Sequence, residues 1–194
     1  IEIKDGSAWG HGFSGLHAAI DMGGNAVRIA PLNLTLDKGA VSGGVRIQRD
    51  PADPLLLTGD FKFSGLDIES MISAAGAKEE ILSGRLRGSL SLTAARGSTP
   101  FTKGLNGKAK LRAGDGRLWE FPILSRIFSI VNIVSINELL TEGLPYKTIY
   151  GDFDIKDGII HTDDLLLNSH TMRMSAVGDI DMPGKKIDSV LAIH

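Results

Sequence analysis

Two segments of the chain have spacings that occur in ligand sites. Residues 10–15 read Gly-His-Gly-Phe-Ser-Gly, the GxGxxG spacing with which backbone amides cradle a phosphate. That use requires a helix directly after the glycines, whereas residues 16–20 alternate as a strand does. Residues 152–158 begin like a calcium loop, but Lys156 stands where the third ligand belongs and the glycine comes one residue late. The second segment is better explained as an acidic strand that ends in an Asp-Gly hairpin turn.

Residues that carry acid-base, nucleophilic or metal chemistry are scattered along the chain. The histidines, at positions 11, 17, 161, 170 and 194, include no pair at metal-ligand spacing. The chain has no cysteine and no GxSxG nucleophile elbow. A net charge of -2 argues against a nucleic-acid partner, whose phosphates call for a basic surface. We therefore expect a protein that is not an enzyme and that uses no cofactor or metal.

A repeated pattern of an apolar residue, glycine and another apolar residue at every second position organises the chain. Because side chains alternate faces along a strand, each copy places its apolar residues and its glycine on one side of a sheet. The residues between them, such as Lys108 and Lys110, are polar, which predicts one apolar and one solvated face. The six copies begin at Val41, Leu57, Leu82, Leu105, Ile149 and Ala176, and their glycines are Gly43, Gly59, Gly84, Gly107, Gly151 and Gly178.

Short turn signals between the alternating segments predict sequential antiparallel pairing. The fold class that follows is mainly β, a long curved antiparallel sheet in a groove or taco-like meander with one apolar face. The turn signals are Gly23-Gly24-Asn25, Asp37-Lys38-Gly39, Asp115-Gly116, Asp157-Gly158 and Pro183-Gly184. The predicted strands lie near 1–5, 8–21, 26–37, 40–49, 55–64, 82–95, 102–113, 146–157, 159–168, 171–182 and 186–194.

Two helical insertions interrupt this pattern, near residues 67–82 and 121–142. Asp67 is placed to cap the first, and Gly143 is placed to stop the second. The second is apolar over most of its circumference, so it either covers the apolar face of its own sheet or contacts lipid or a partner protein. The chain of 194 residues fits a single domain, and its strand-like ends predict a fragment of a larger protein.

Several motifs follow one another in a recognisable order. They are Leu82–Leu92 (LSGRLRGSLSL), Leu105–Ala109, Asp115–Leu118, the helical segment from Phe121, Tyr146–Gly158 and Val177–Asp181. In this order, over roughly residues 55–194, the chain resembles the C-terminal region of AsmA-like proteins.

The resemblance implies a repeating β-groove protein of the Gram-negative cell envelope. Such proteins are anchored in the inner membrane by an N-terminal helix, which this chain lacks, and their groove lies in the periplasm. Their apolar concave face carries phospholipid acyl chains toward the outer membrane, a role in lipid transport and outer membrane biogenesis. The alternative is a structural or assembly module whose apolar face is closed by its own helices and which binds another envelope protein. A membrane or envelope-protein contact would then run through residues 121–142.

The residues expected to contact lipid are in phase with the glycine motifs, so we expect them on one concave surface. They are Leu57, Phe61, Phe63, Leu86, Leu90, Leu92, Leu111, Phe153, Ile155, Met172, Met174, Ile180 and Met182.

Overall fold

Eleven strands make up most of the part of the chain that the computed structural model describes, residues 1–8, 11–36, 39–50, 53–74, 81–95, 101–119, 143–170 and 172–194. A short helix α1 spans Ile68–Ala74, and a 3-10 turn spans Phe101–Gly104. The strands are β1 Glu2–Ala8, β2 His11–Gly23, β3 Ala26–Leu36, β4 Gly39–Asp50, β5 Asp53–Asp67, β6 Arg85–Ala95, β7 Leu105–Leu118, β8 Leu144–Lys156, β9 Ile159–Ser169, β10 Arg173–Asp181 and β11 Lys186–Ile193.

All eleven strands belong to one antiparallel sheet whose spatial order is the chain order, β1 to β11. Each strand pairs with its neighbours in sequence, both across short turns such as residues 24–25 and across longer connections such as residues 119–143, which join β7 to β8. The predicted long curved meander with one apolar face is therefore confirmed. The sheet is open, because β1 and β11 form its two edges.

Glycines on the apolar face lie opposite large apolar residues of the neighbouring strands. Gly107 on β7 pairs with Leu92 on β6 and with Ile155 on β8. A Cβ atom at Gly107 would lie 2.1 Å from the carbonyl oxygen of Ser91 and 3.0 Å from the side chain of Leu92. Glycine is thus needed here because the adjacent backbone and a large side chain occupy the space of a Cβ.

On β6, the glycine of the pattern lies four residues further along the chain than predicted. Gly84 precedes β6 with a φ of 123°, a conformation that favours glycine. The glycine that lies on the apolar face of β6 is Gly88, which pairs with Phe63 and Leu111. Leu82, predicted to begin the strand, forms an isolated bridge with Leu118.

Of the five predicted turn signals, three form turns and one lies inside a strand. Residues 24–25, 157–158 and 182–185 form the predicted turns, and residues 37–38 lie outside the described part of the chain. The turn predicted at Asp115-Gly116 is wrong, because β7 continues through it to Leu118. Asp115 has a φ of 53°, and Gly116 still pairs with Tyr146 on β8. Asp115 therefore adopts a left-handed backbone conformation, which aspartate tolerates, within strand β7.

Helix α1 begins where the sequence places its cap. The backbone amide of Ser70 donates a hydrogen bond of 3.1 Å to Oδ1 of Asp67, which satisfies one of the free amides of the first turn. Within the predicted insertion 67–82, Ile68–Ala74 is helical, residues 75–80 lie outside the described part of the chain, and residues 81–82 are not helical. The predicted insertion 121–142 lies outside the described residues. In the part of the chain that is described, no helix has the length and apolarity to cross a membrane.

The main cluster of buried side chains lies at one end of the apolar face, which we call the closed end. Ile68 of α1 is 5% exposed there and belongs to the same cluster as residues from β7, β8, β9 and β10. The buried members are Ile68, Ala113, Leu118, Leu144, Tyr146, Leu167 and Met174, and Ile72, Leu82, Leu86, Ile149, Met172 and Leu191 pack against them.

The close approach at Gly107 can be tested against a glycine of the same strand. We expect Gly107→Ala to lower the free energy of unfolding by about 2 kcal/mol, because the new methyl group must displace the backbone of β6. Gly114→Ala is the control, since the nearest atom to its Cβ would be the carbonyl oxygen of Lys147 at 3.7 Å, an ordinary contact. Its effect should stay within about 1 kcal/mol. Urea denaturation measures both, and equal effects would contradict the crowding at Gly107.

Candidate functional site

The register of the sheet brings eleven of the thirteen predicted lipid-contact residues onto one face. They lie in rows that cross the strands. One row runs from Phe61 through Leu90 and Ala109 to Phe153. Four further rows hold the remaining members. One contains Leu57, and a second contains Leu92, Ile155 and Ile180. A third contains Phe63 and Leu111, and a fourth contains Leu86 and Met174.

The two remaining residues lie outside the strands. Met172 precedes β10 and packs against the core of the closed end, and Met182 begins the turn after β10. Met174 is itself 3% exposed within that core. The alternation pattern could not place Met172 and Met182, because it holds only within a strand.

Between β4 and β8 the same face forms a second region, which we call the open stretch. Its predicted members are only half-buried, and none belongs to the core of the closed end. Small residues between them, such as Ala109 at 7% exposed, are covered by their larger neighbours. The predicted members are Leu57, Phe61, Phe63, Leu90, Leu92, Leu111, Phe153 and Ile155.

The surface area shows how far this arrangement departs from a compact domain. The chain exposes 12440 Å². A compact monomer of 20.7 kDa would expose about 8,900 Å². No large side chain among the described residues is buried to below 2% exposure. The exposed area is the total for all 194 residues, and it exceeds that of a compact monomer of the same mass.

Tyr146 at the closed end is a buried polar residue that alternation did not single out. Its hydroxyl donates a hydrogen bond to the carbonyl oxygen of Ser83. Burial, followed by the charge of Asp115, raises the pKa of Tyr146 to about 12. A Cβ at either Gly84 or Gly116 would lie 2.6 Å from this hydroxyl, so the two glycines make room for it. The sequence alone does not show that Gly84 and Gly116 lie beside Tyr146, because the strand pairing brings these residues together.

The opposite face is polar, and its charged residues pair across the strands. Lys108 on β7 lies 3.0 Å from Asp154 on β8, and Lys110 bonds Asp152 in the same way. Further along the row of Lys108, Nδ1 of His161 lies 2.7 Å from Oδ1 of Asp179. These side chains are about half exposed or more, so each pair contributes little to stability and mainly keeps the face solvated.

In the part of the chain that the structure describes, no group of three or more histidine, aspartate or glutamate residues could hold a metal ion. The chemistry available on the apolar face is the burial of apolar surface, which needs no hydrogen-bonding group.

An open antiparallel meander with one apolar face defines a β-sheet protein of the groove type. The family model described as YhdP protein matches residues 1–194, and the chain belongs to the YhdP family. YhdP proteins are AsmA-like, which agrees with the resemblance carried by the motifs and suggests an envelope protein. No curated protein and no solved structure matches the chain.

The alkaline stability of the protein should report the burial of Tyr146. Because the pKa is raised, the folded protein holds the phenolic proton more tightly than the unfolded chain does. This contribution to the free energy of unfolding is present below about pH 10 and is lost as the pH rises to about 12. We expect Tyr146→Phe to flatten this part of the profile in urea denaturation at several pH values. Identical slopes for both proteins between these pH values would contradict the assignment.

Proposed function

We propose that the open stretch holds phospholipid acyl chains and that the protein is a lipid-transfer module of the cell envelope. The observation that supports this is the half-buried apolar surface between β4 and β8, which lies outside the core of the closed end. Acyl chains have no donors or acceptors, so a continuous apolar surface is sufficient to bind them. The polar opposite face lets such a sheet stay in water while it carries them.

The dimensions of the open stretch suit an extended hydrocarbon chain. Five adjacent strands, β4 to β8, give a width on the order of 20 Å at the usual strand spacing. Each methylene group that leaves water contributes about 0.8 kcal/mol. A lipid with two chains can therefore bind through many weak contacts, without a closed pocket.

We extend the proposal to the location and the chemistry of the protein. A module with this function lies in the periplasm, is anchored in the inner membrane by a segment outside these 194 residues, and transfers lipid to the outer membrane without being an enzyme. Residues 121–142 would act as a lid or would contact a membrane or an envelope protein. These statements rest on the AsmA-like resemblance and on family membership.

The second candidate is an assembly module that binds another envelope protein. The closed end favours it, because helix α1 already contributes Ile68 and Ile72 to a core on the apolar face. If the rest of the face were closed in the same way, no lipid would enter. The two candidates differ in whether Phe153 touches lipid or protein.

A photocrosslinking amino acid at Phe153 distinguishes these candidates. In cells that express the protein, we expect the photoprobe at Phe153 to capture phospholipid, because this side chain lies in the row of Phe61 and Leu90. The control is Lys156, which lies on the same strand and points to the polar face. Mass spectrometry of the adducts identifies what is captured.

The outcomes of this experiment exclude one another. Lipid at Phe153 but not at Lys156 supports transfer, while a protein adduct at Phe153, or equal labelling at both positions, contradicts it. Phe153→Asp should also reduce co-purified phospholipid by about tenfold, because it places an unpaired charge on the apolar surface. Lys156→Asp adds an acidic residue of the same kind on the other face and should leave the lipid content unchanged.

A further inference from the structure

A groove on the polar face of the sheet, opposite the open stretch, has four basic side chains in its lining. It has a volume of about 530 Å³ and crosses β5 to β8. Lys62 and Lys110 stand along one side, and Arg87 and Arg112 stand along the other. The acidic residue in its lining is Asp152, which Lys110 already engages. Lys62, Arg87 and Arg112 have no ion-pair partner among the described residues.

The two arginines of the groove lie directly opposite each other, as Arg28 and Arg46 do on β3 and β4. Arg87 and Arg112 are direct cross-strand partners, and like charges in such positions repel and destabilise a sheet. On the adjacent pair of strands, Lys108 and Lys110 each lie opposite an aspartate. Two facing arginines are therefore a cost to folding that an anion bound between them would offset.

The geometry of Arg112 keeps its donors free for such an anion. Its guanidinium carbon lies 5.6 Å from the ring centroid of Tyr150, a cation–π contact that orients the side chain without using its N–H groups. Guanidinium groups bind phosphate oxygens through two parallel hydrogen bonds, and an adjacent lysine adds a point charge. Ser89, which also lines the groove, adds a hydroxyl donor.

We propose that this groove binds the phosphate group of an anionic ligand, with Arg87, Arg112 and Lys62 as its ligands. The site lies on the face opposite the acyl-chain surface, so it is independent of the proposed function. The phosphate can belong to a lipid headgroup or to a soluble phosphate ester, and the chemistry of recognition is the same for both.

The test uses Arg87→Glu in the 194-residue chain. This substitution places a carboxylate opposite Arg112, so it replaces a repulsive pair with an attractive one and should not lower stability. The control is Arg173→Glu, an equal change of charge at an exposed position on β10 outside the groove. Thermal unfolding of the three proteins checks that each is folded.

Two probes separate the sources of the phosphate. Isothermal titration calorimetry with glycerol 3-phosphate measures the soluble ligand. Co-sedimentation with phosphatidylcholine vesicles, with and without phosphatidylglycerol, measures the headgroup. We expect Arg87→Glu to weaken binding to at least one probe by about tenfold or more, while Arg173→Glu binds as the unmodified chain does.

The pattern of losses identifies the source. Loss for phosphatidylglycerol vesicles alone assigns a headgroup, loss for glycerol 3-phosphate alone assigns a soluble ester, and loss for both supports a site for any exposed phosphate. Equal binding by Arg87→Glu and the unmodified chain overturns the proposal. An equal loss in Arg173→Glu also overturns it, because the effect would then come from net charge and not from the groove.

Discussion

The fold depends on the close packing of glycines against large apolar side chains of neighbouring strands. At Gly43, Gly88 and Gly107 a Cβ atom would lie 2.1 Å from a carbonyl oxygen of the adjacent strand. Each glycine therefore lets the backbones approach while Phe61, Phe63 or Leu92 lies next to it on the apolar face. This arrangement gives a continuous apolar surface within a single layer, where most sheets obtain one by packing against a second layer.

The apolar face of a single-layer sheet must be covered by something other than a second sheet, and the closed end and the open stretch differ in this respect. At the closed end, α1 and residues of β7 to β10 bury one another, and the hydroxyl of Tyr146 donates a hydrogen bond to the carbonyl oxygen of Ser83. In the open stretch the same alternation continues without a core. The closed end therefore supplies a fixed, folded region, and the open stretch supplies apolar surface that a ligand or a partner can cover. The function we propose follows from this second region.

The sequence predicted what has a regular period and missed what interrupts it. Alternation placed Phe61, Leu90 and Phe153 on one face, and the strand order followed from short turns. The displaced copy at Gly84 and the strand through Asp115 were missed because a left-handed residue looks the same in a turn, at a strand entry and inside a strand. Met172 and Tyr146 were hard to place because their surroundings come from residues distant in sequence, such as Ser83, which the register alone brings near.

The two faces of each strand are linked, because successive side chains alternate between them. The requirements of the two faces nevertheless differ. The apolar rows combine large hydrophobic residues with glycine or alanine, whereas on the polar rows charges that balance across a pair of strands stabilise it and like charges destabilise it. Lys108 and Lys110 obey that balance with Asp154 and Asp152. Arg87 and Arg112, one row further along β6 and β7, do not. Two facing arginines, here as in Arg28 and Arg46 on β3 and β4, are not required for folding, because exposed positions accept almost any polar residue. The anion that we propose for the groove would offset this repulsion, and the acyl chains that we propose for the open stretch would lie on the other face.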